Sequence, residues 1–166
     1  MKRLMVGIIM SVFLLSGGLS AMAVTETTTM NVSAQVPVAL TVSATDLNFG
    51  QLSFTSPTTG TATISVTAAD GVNFEIAIDA GANGVRAMGE MSSGYAIYYQ
   101  LYQDSAYTTI WGDSCLSSPT YPAGGCVTST GDGTTQTFTV YGQADQVPPG
   151  FPSGTYGDTL TVTVSY

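Results

Sequence analysis

The chain contains no histidine, and lysine and arginine together account for only 3 of its 166 residues. Without histidine, a Ser–His–Asp triad, a Cys–His pair and most catalytic zinc sites cannot be built. So few cations cannot neutralise a run of phosphates, and they give no electrostatic attraction for anionic lipid. We therefore expect no enzymatic activity, no cofactor, no metal site and no nucleic-acid partner.

Most of these few cations lie at the start of the chain, where the sequence predicts a secretory signal peptide over residues 1–23. A positive start, an apolar core and a small-residue cleavage pattern follow one another in Lys2-Arg3, Leu4–Leu15 and Ala21-Met22-Ala23. The apolar core is too short to span a bilayer, so we expect no membrane insertion after cleavage. Arg86 then remains as the one basic side chain against 11 carboxylates.

Cysteine is also scarce, with Cys115 and Cys126 as the two copies. In an exported protein such a pair is expected to form a disulfide. Closing so short a loop stabilises the fold by roughly 2–3 kcal/mol in the chain-entropy model. The alternative, metal binding, is weak because two thiols without histidine do not complete a zinc site.

Charged residues make up only 8% of the chain, and no segment shows a helical period. Short stretches that alternate polar and apolar residues recur between turn residues, which predicts eight or nine strands in one immunoglobulin-like β-sandwich. The turn signal Asp70-Gly71 separates two such stretches, Ala62–Val66 and Val72–Ile78, and predicts that they form a hairpin.

An aromatic stretch predicts a further strand, with Tyr95 and Tyr99 in the core and Tyr98 and Tyr102 on the opposite face. A sugar-stacking platform is the less favoured interpretation of these tyrosines. Residues 107–111 predict a short strand, in which Trp111 is expected to be a packing anchor.

Carboxylates are the remaining side chains that could act in catalysis or bind a metal. Glu75 with Glu90, or Asp104 with Asp113, could form a glycosidase pair. Most other acids lie in turns, and solvated turn carboxylates are the favoured interpretation of Asp70, Asp132 and Asp158. Calcium binding at Gly131-Asp132-Gly133 is not favoured, because the spaced acids of a calcium loop are missing.

The two ends of the exported chain both predict strands. Thr159–Tyr166 alternates polar and apolar residues to the last position, which leaves an edge. Near the start, Met30, Val32, Ala34 and Val36 fall on one face before Pro37 interrupts the stretch. That stretch could be the first strand of its own domain, or it could cover the edge of another copy.

Several segments in this order resemble the spore coat protein U domain family, and within it the major pilin subunits of archaic (Csu-type) chaperone–usher pili. They are Leu47-Asn48-Phe49-Gly50, Gly84–Met88, Tyr99–Asp104 continuing to Trp111-Gly112-Asp113, Val140-Tyr141-Gly142 and Gly154–Val164. The resemblance covers nearly the whole exported chain. One departure is that many members carry a cysteine pair linking the first strand to a later one, whereas the stretches around Leu40 and Ala69 have no cysteine here.

The resemblance implies an all-β fold, an incomplete immunoglobulin-like β-sandwich completed by donor-strand complementation. Residues 24–36 would be the donor segment and residues 37–166 the pilin domain. The inward donor residues would be Met30, Val32, Ala34 and Val36. The acceptor groove would be edged by Val38, Leu40, Val42, Leu160, Val162, Val164 and Tyr166.

The resemblance also implies a function and a set of partners. The chain would be a structural pilus subunit that polymerises with copies of itself, with a periplasmic chaperone, an outer-membrane usher and minor subunits as partners. It would pass through the periplasm to the cell surface and support adhesion and biofilm formation. The alternative function is a self-contained secreted carbohydrate-binding or adhesin module.

Overall fold

The computed structural model describes residues 25–35, 39–89, 94–115 and 124–166, and these contain eight β-strands and no helix. The strands are β1 (Leu40–Ala44), β2 (Thr58–Ala68), β3 (Asn73–Ile78), β4 (Ala87–Met88), β5 (Ile97–Tyr102), β6 (Val127–Thr130), β7 (Thr135–Ala144) and β8 (Val162–Ser165). The all-β prediction is confirmed. Within the described ranges, no helix is long and apolar enough to cross a membrane.

The strands form two antiparallel sheets. One has five strands in the order β1-β2-β7-β5-β4, and the other has three in the order β6-β3-β8. β1 pairs with β2 alone and β8 pairs with β3 alone, so both are edge strands among the described residues. An edge strand leaves one row of backbone N–H and C=O groups without a ladder partner.

The core is built from the alternate residues of the central strands, as the period of two requires. In β3, for example, Phe74, Ile76 and Ile78 are buried while Glu75 is exposed. These side chains meet inward residues of β2, β5 and β7 in one cluster with Trp111. The indole N–H of Trp111 donates to the Ile76 carbonyl at 2.9 Å, so its predicted role as a packing anchor is confirmed.

The predicted hairpin across Asp70-Gly71 is wrong. β2 pairs with β1 and β7, whereas β3 pairs with β6 and β8, so the chain crosses from one sheet to the other at this turn. The Gly71 N–H donates to the Gly131 carbonyl, and the Gly131 N–H donates to the Val72 carbonyl. The turn signal was therefore real, but a reversal of chain direction does not determine which strand becomes the neighbour.

Two predictions about the aromatic region also need correction. Tyr99 is buried as expected, but Tyr95 is 49% exposed because β5 begins only at Ile97. The Tyr95 ring packs edge-on against Phe151, with centroids 5.7 Å apart. The predicted strand over residues 107–111 is reduced to isolated bridges at Ile110 and Trp111.

Residues 25–35 belong to a unit separate from that of Val36–Tyr166; these eleven residues contain no strand, and each of them is exposed. The described part of the stretch predicted as a strand, residues 30–35, is therefore not assigned as a strand. The predictions for the signal peptide (residues 1–23) and for Val36, Pro37 and Val38 lie outside the described residues.

Candidate functional site

A groove of about 420 Å³ opens between the end of β1 and the residues that lead into β8. One wall is Ala44–Leu47, and the other, which we call the β8 wall, is Tyr156–Leu160 together with Val162. The floor consists of core residues from both sheets, namely Ala62, Ile64, Ile78, Tyr99, Leu101 and Val140. The groove therefore reaches the hydrophobic core between two edge strands.

A second cavity of about 450 Å³ shares Leu47, Met88 and Tyr156 with the groove. It continues between residues 47–54 and residues 151–156, with Ile97 and Val147 below. Its rim is aromatic, since Phe151 packs against Tyr156 at 5.4 Å and Phe54 is 56% exposed. Together the two cavities make a long cleft lined by both apolar and polar residues.

The structure brings only some of the predicted groove residues to this cleft. Leu160 and Val162 line it, and Leu40 and Val164 are half-buried against the core. The other edge residues lie elsewhere. Val42 is 45% exposed, Tyr166 lines a separate surface hollow beside β6, and Val38 lies outside the described residues. The β1 side of the groove is instead formed by Ala44–Leu47, which sequence reasoning missed.

Of the four predicted donor residues, Met30 and Val32 are each 83% exposed, and Ala34 is also exposed. Val36 lies outside the described residues.

Two carboxylates fasten the β8 wall to the body of the domain. Asp79 Oδ1 accepts the Thr161 N–H at 2.9 Å and the Gly81 N–H at 3.0 Å. Asp158 Oδ1 accepts the Ala82 N–H at 3.1 Å, and Asp158 Oδ2 accepts the Tyr99 hydroxyl at 2.8 Å. The expectation that Asp158 is only a solvated turn carboxylate is therefore wrong, and no local pattern indicated these partners.

Arg86 is fully buried beside this wall. Its guanidinium donates to the Ile78 carbonyl at 2.8 Å, to the Asp79 carbonyl at 3.2 Å and to the Gln100 side-chain oxygen. A buried charge must be compensated by hydrogen bonds or by other charges. Arg86 thus ties the end of β3, in one sheet, to β5, in the other.

The disulfide between Cys115 and Cys126 is present, with Cα atoms 4.6 Å apart, so that prediction is confirmed. Among the described residues, Glu75 and these two cysteines form the one cluster with three potential metal ligands. Both sulfur atoms are consumed by the disulfide, so the cluster offers a metal only one carboxylate.

Four of the carboxylates that were weighed for a glycosidase pair or a calcium site, Glu75, Asp104, Asp113 and Asp132, lie in the described part of the chain. Glu75 is exposed on β3, and Glu90 lies outside the described residues. Asp104 accepts N–H groups from Ala106, Thr108 and Thr109, and the Thr109 N–H in particular lowers its pKa below the ordinary value. Asp132 accepts the N–H and hydroxyl of Thr134, which lower its pKa in the same way. Both side chains act as acceptors that shape loops.

A family model described as the Spore Coat Protein U domain matches residues 26–163 of the chain. A search among curated proteins finds no match. Among solved structures, a similar chain occurs in the crystal structure of a CsuC–CsuE chaperone–tip adhesion subunit pre-assembly complex from archaic chaperone–usher Csu pili of Acinetobacter baumannii.

That structural match has a TM-score of 0.52 at 20% sequence identity, and it covers 76% of this chain and 39% of that chain. The present chain therefore spans about two fifths of the length of that relative. At this identity the likeness concerns the fold alone. It confirms the predicted incomplete immunoglobulin-like β-sandwich.

Proposed function

This chain belongs to the Spore Coat Protein U domain family, and from that premise we propose that it is a structural subunit of a chaperone–usher pilus. The subunit polymerises by donor-strand exchange, in which one copy inserts its N-terminal segment into the groove of the next. The assembled fibre lies on the cell surface and supports adhesion and biofilm formation.

The observation that carries this proposal is the groove between β1 and the β8 wall. Its floor is the hydrophobic core and both of its flanking strands are sheet edges. A strand added there would gain main-chain hydrogen bonds from an edge and would place alternate side chains over the floor. Each large apolar side chain buried in this way contributes about 1.5–3 kcal/mol.

The exposed segment that contains Met30 and Val32 supports the other half of the proposal. In our scheme residues 1–23 are the signal peptide, residues 24–36 are the donor segment and residues 37–166 are the groove-bearing domain. Because donor and groove are different surfaces, their contact repeats without closing and builds an open filament.

Assembly of such a fibre also requires partner proteins. A periplasmic chaperone fills the groove until an outer-membrane usher exchanges its strand for the donor segment of the next copy, and minor subunits complete the fibre. The open edges of β1 and β8 support this assignment, because an uncovered edge is prone to uncontrolled pairing during export.

Two substitutions, one in the donor segment and one in the groove, test the proposal in cells that export the chain. Val32→Asp introduces a charge into the donor face, and Val162→Asp introduces one into the groove. Ser33→Asp and Thr163→Asp are matched controls, because each lies one residue away and would face the other way in an extended strand. Surface material is run on denaturing gels with and without boiling.

We expect the parent and both controls to give a ladder that collapses to monomer on boiling, and both valine variants to give monomer alone. A chain that is monomeric without boiling, or valine variants that form normal ladders, would refute strand-linked polymers. A stable monomeric parent would instead support a self-contained carbohydrate-binding or adhesin module.

A further inference from the structure

The β8 wall is attached to the domain in an unusual way. The ladder between β3 and β8 ends at the pair Ile78 and Val162, so residues 157–161 have no strand beside them among the described residues. Backbone bonds to Asp79 and Gly89 hold part of this segment. The Asp79 carboxylate binds the Thr161 N–H, and the Asp158 carboxylate binds Ala82 and Tyr99.

The bond between Tyr99 and Asp158 has a particular position within this attachment. Tyr99 belongs to β5 in the five-stranded sheet, whereas Asp158 belongs to the segment that leads into the three-stranded sheet. Both residues line the groove. Their hydrogen bond therefore joins the groove floor directly to the β8 wall.

We propose that Tyr99 and Asp158 are positioning residues that hold the β8 wall open, ready to receive the donor strand of a second copy. This inference rests on the proposed function. A wall fixed before binding spares the complex the entropy of ordering it, which raises affinity without any new contact to the ligand. Without the bond, part of the binding free energy would be spent on ordering the wall.

Tyr99→Phe is the sharpest variant, because it removes the hydroxyl and keeps the buried ring that packs on Phe49 at 6.0 Å. Tyr102→Phe is the matched control, since Tyr102 lies on the same strand with its ring against Tyr107 instead of in the groove. Both changes are made in the full chain carrying Val32→Asp, whose own donor segment is disabled. The probe is a fluorescent synthetic peptide of residues 25–36.

Peptide affinity is measured by fluorescence anisotropy, and thermal unfolding is measured with and without saturating peptide. A hydrogen bond to a charged group has the strength to change affinity about tenfold, so we expect Tyr99→Phe to raise the Kd of the peptide about tenfold. Tyr102→Phe should leave the Kd unchanged. A purely structural bond would lower the unfolding temperature equally in both conditions and would leave the Kd unchanged.

The outcomes separate the two proposals. If the Val32→Asp chain itself does not bind the peptide, the strand-exchange function fails and this inference fails with it. If it binds and Tyr99→Phe binds equally well, only the positioning role is overturned. Should Tyr99→Phe fail to fold, Asp158→Asn weakens the same bond from the other side, and an unchanged Kd there would overturn the inference.

Discussion

Asp79 and Thr161 are joined by two hydrogen bonds. The Asp79 N–H donates to the Thr161 carbonyl at 3.1 Å, and the Thr161 N–H donates to Asp79 Oδ1 at 2.9 Å. This pair lies one residue beyond the last ladder pair of β3 and β8. Where the ladder between β3 and β8 ends, the acceptor of the Thr161 N–H is therefore a side-chain oxygen and not a backbone carbonyl.

Replacement of Asp79 by alanine should loosen this end of the β8 wall. Because the Thr161 and Gly81 N–H groups would lose their acceptor, we expect the free energy of unfolding to fall by about 1–2 kcal/mol. Urea denaturation of the Val32→Asp chain measures the change. Asp70→Ala, at an exposed turn position, is the control, and equal losses in both variants would contradict the role given to Asp79.

Removal of the Arg86 side chain should also lower the free energy of unfolding. Arg86→Met leaves the carbonyls of Ile78 and Asp79 and the Gln100 side chain without this donor. Unsatisfied buried acceptors cost 1–3 kcal/mol each, so we expect a loss of about 3 kcal/mol in the free energy of unfolding. Arg86→Lys keeps the charge but not the planar fork, and it should lose less. A methionine variant as stable as the parent would show that the network is dispensable.

The alternation of residues was a good guide to the strands but not to the site. Phe74, Ile76 and Ile78 could be placed in the core because a strand alternates its faces, whatever its neighbours are. The partners of Asp79 and Asp158 could not be predicted, because they lie as many as 82 residues apart and only the packing of two sheets brings them together. The hairpin error across Asp70-Gly71 has the same cause.

The groove also combines residues that could be predicted from the sequence with residues that could not. Alternation in the final segment placed Leu160 and Val162 on one face of a strand, and the family resemblance assigned that face to a groove; both residues line the groove in the structure. The alternating pattern did not predict that Ala44–Leu47 forms the opposite wall, because this wall begins at the last residue of β1 and continues into residues that belong to no strand. The burial of Arg86 was equally unexpected, since a lone cation in an acidic chain is normally solvated.

The disulfide closes the segment between Cys115 and Cys126, which are 11 residues apart. Its removal by a double substitution to serine should lower the free energy of unfolding by about 2–3 kcal/mol, because the unfolded chain regains the entropy of the open loop. Urea denaturation of the Val32→Asp chain checks this value. Reduction of the parent should reproduce the loss, and a double variant that matches the oxidised parent would contradict the prediction.

Asp104 should make the fold sensitive to acid. The Thr109 N–H donates to its carboxylate at 2.7 Å and lowers the pKa of Asp104 below its ordinary value of 3.8. A carboxyl group whose pKa is lower in the folded state stabilises the fold fully above the unfolded pKa, and this contribution is lost as pH falls through the folded pKa. Asp104→Asn should therefore be less stable than the parent at neutral pH, and the difference should shrink once the pH falls below about 3.8.

An NMR titration of the Asp104 carboxyl carbon tests the cause directly, with an expected midpoint below 3.8. Thr108→Val removes one hydroxyl donor, at 3.1 Å, and keeps the carboxylate, so it should raise the pKa of Asp104 while leaving the Thr109 bond in place. A midpoint at or above 3.8 in the parent would show that the loop hydrogen bonds do not hold Asp104 in its charged form.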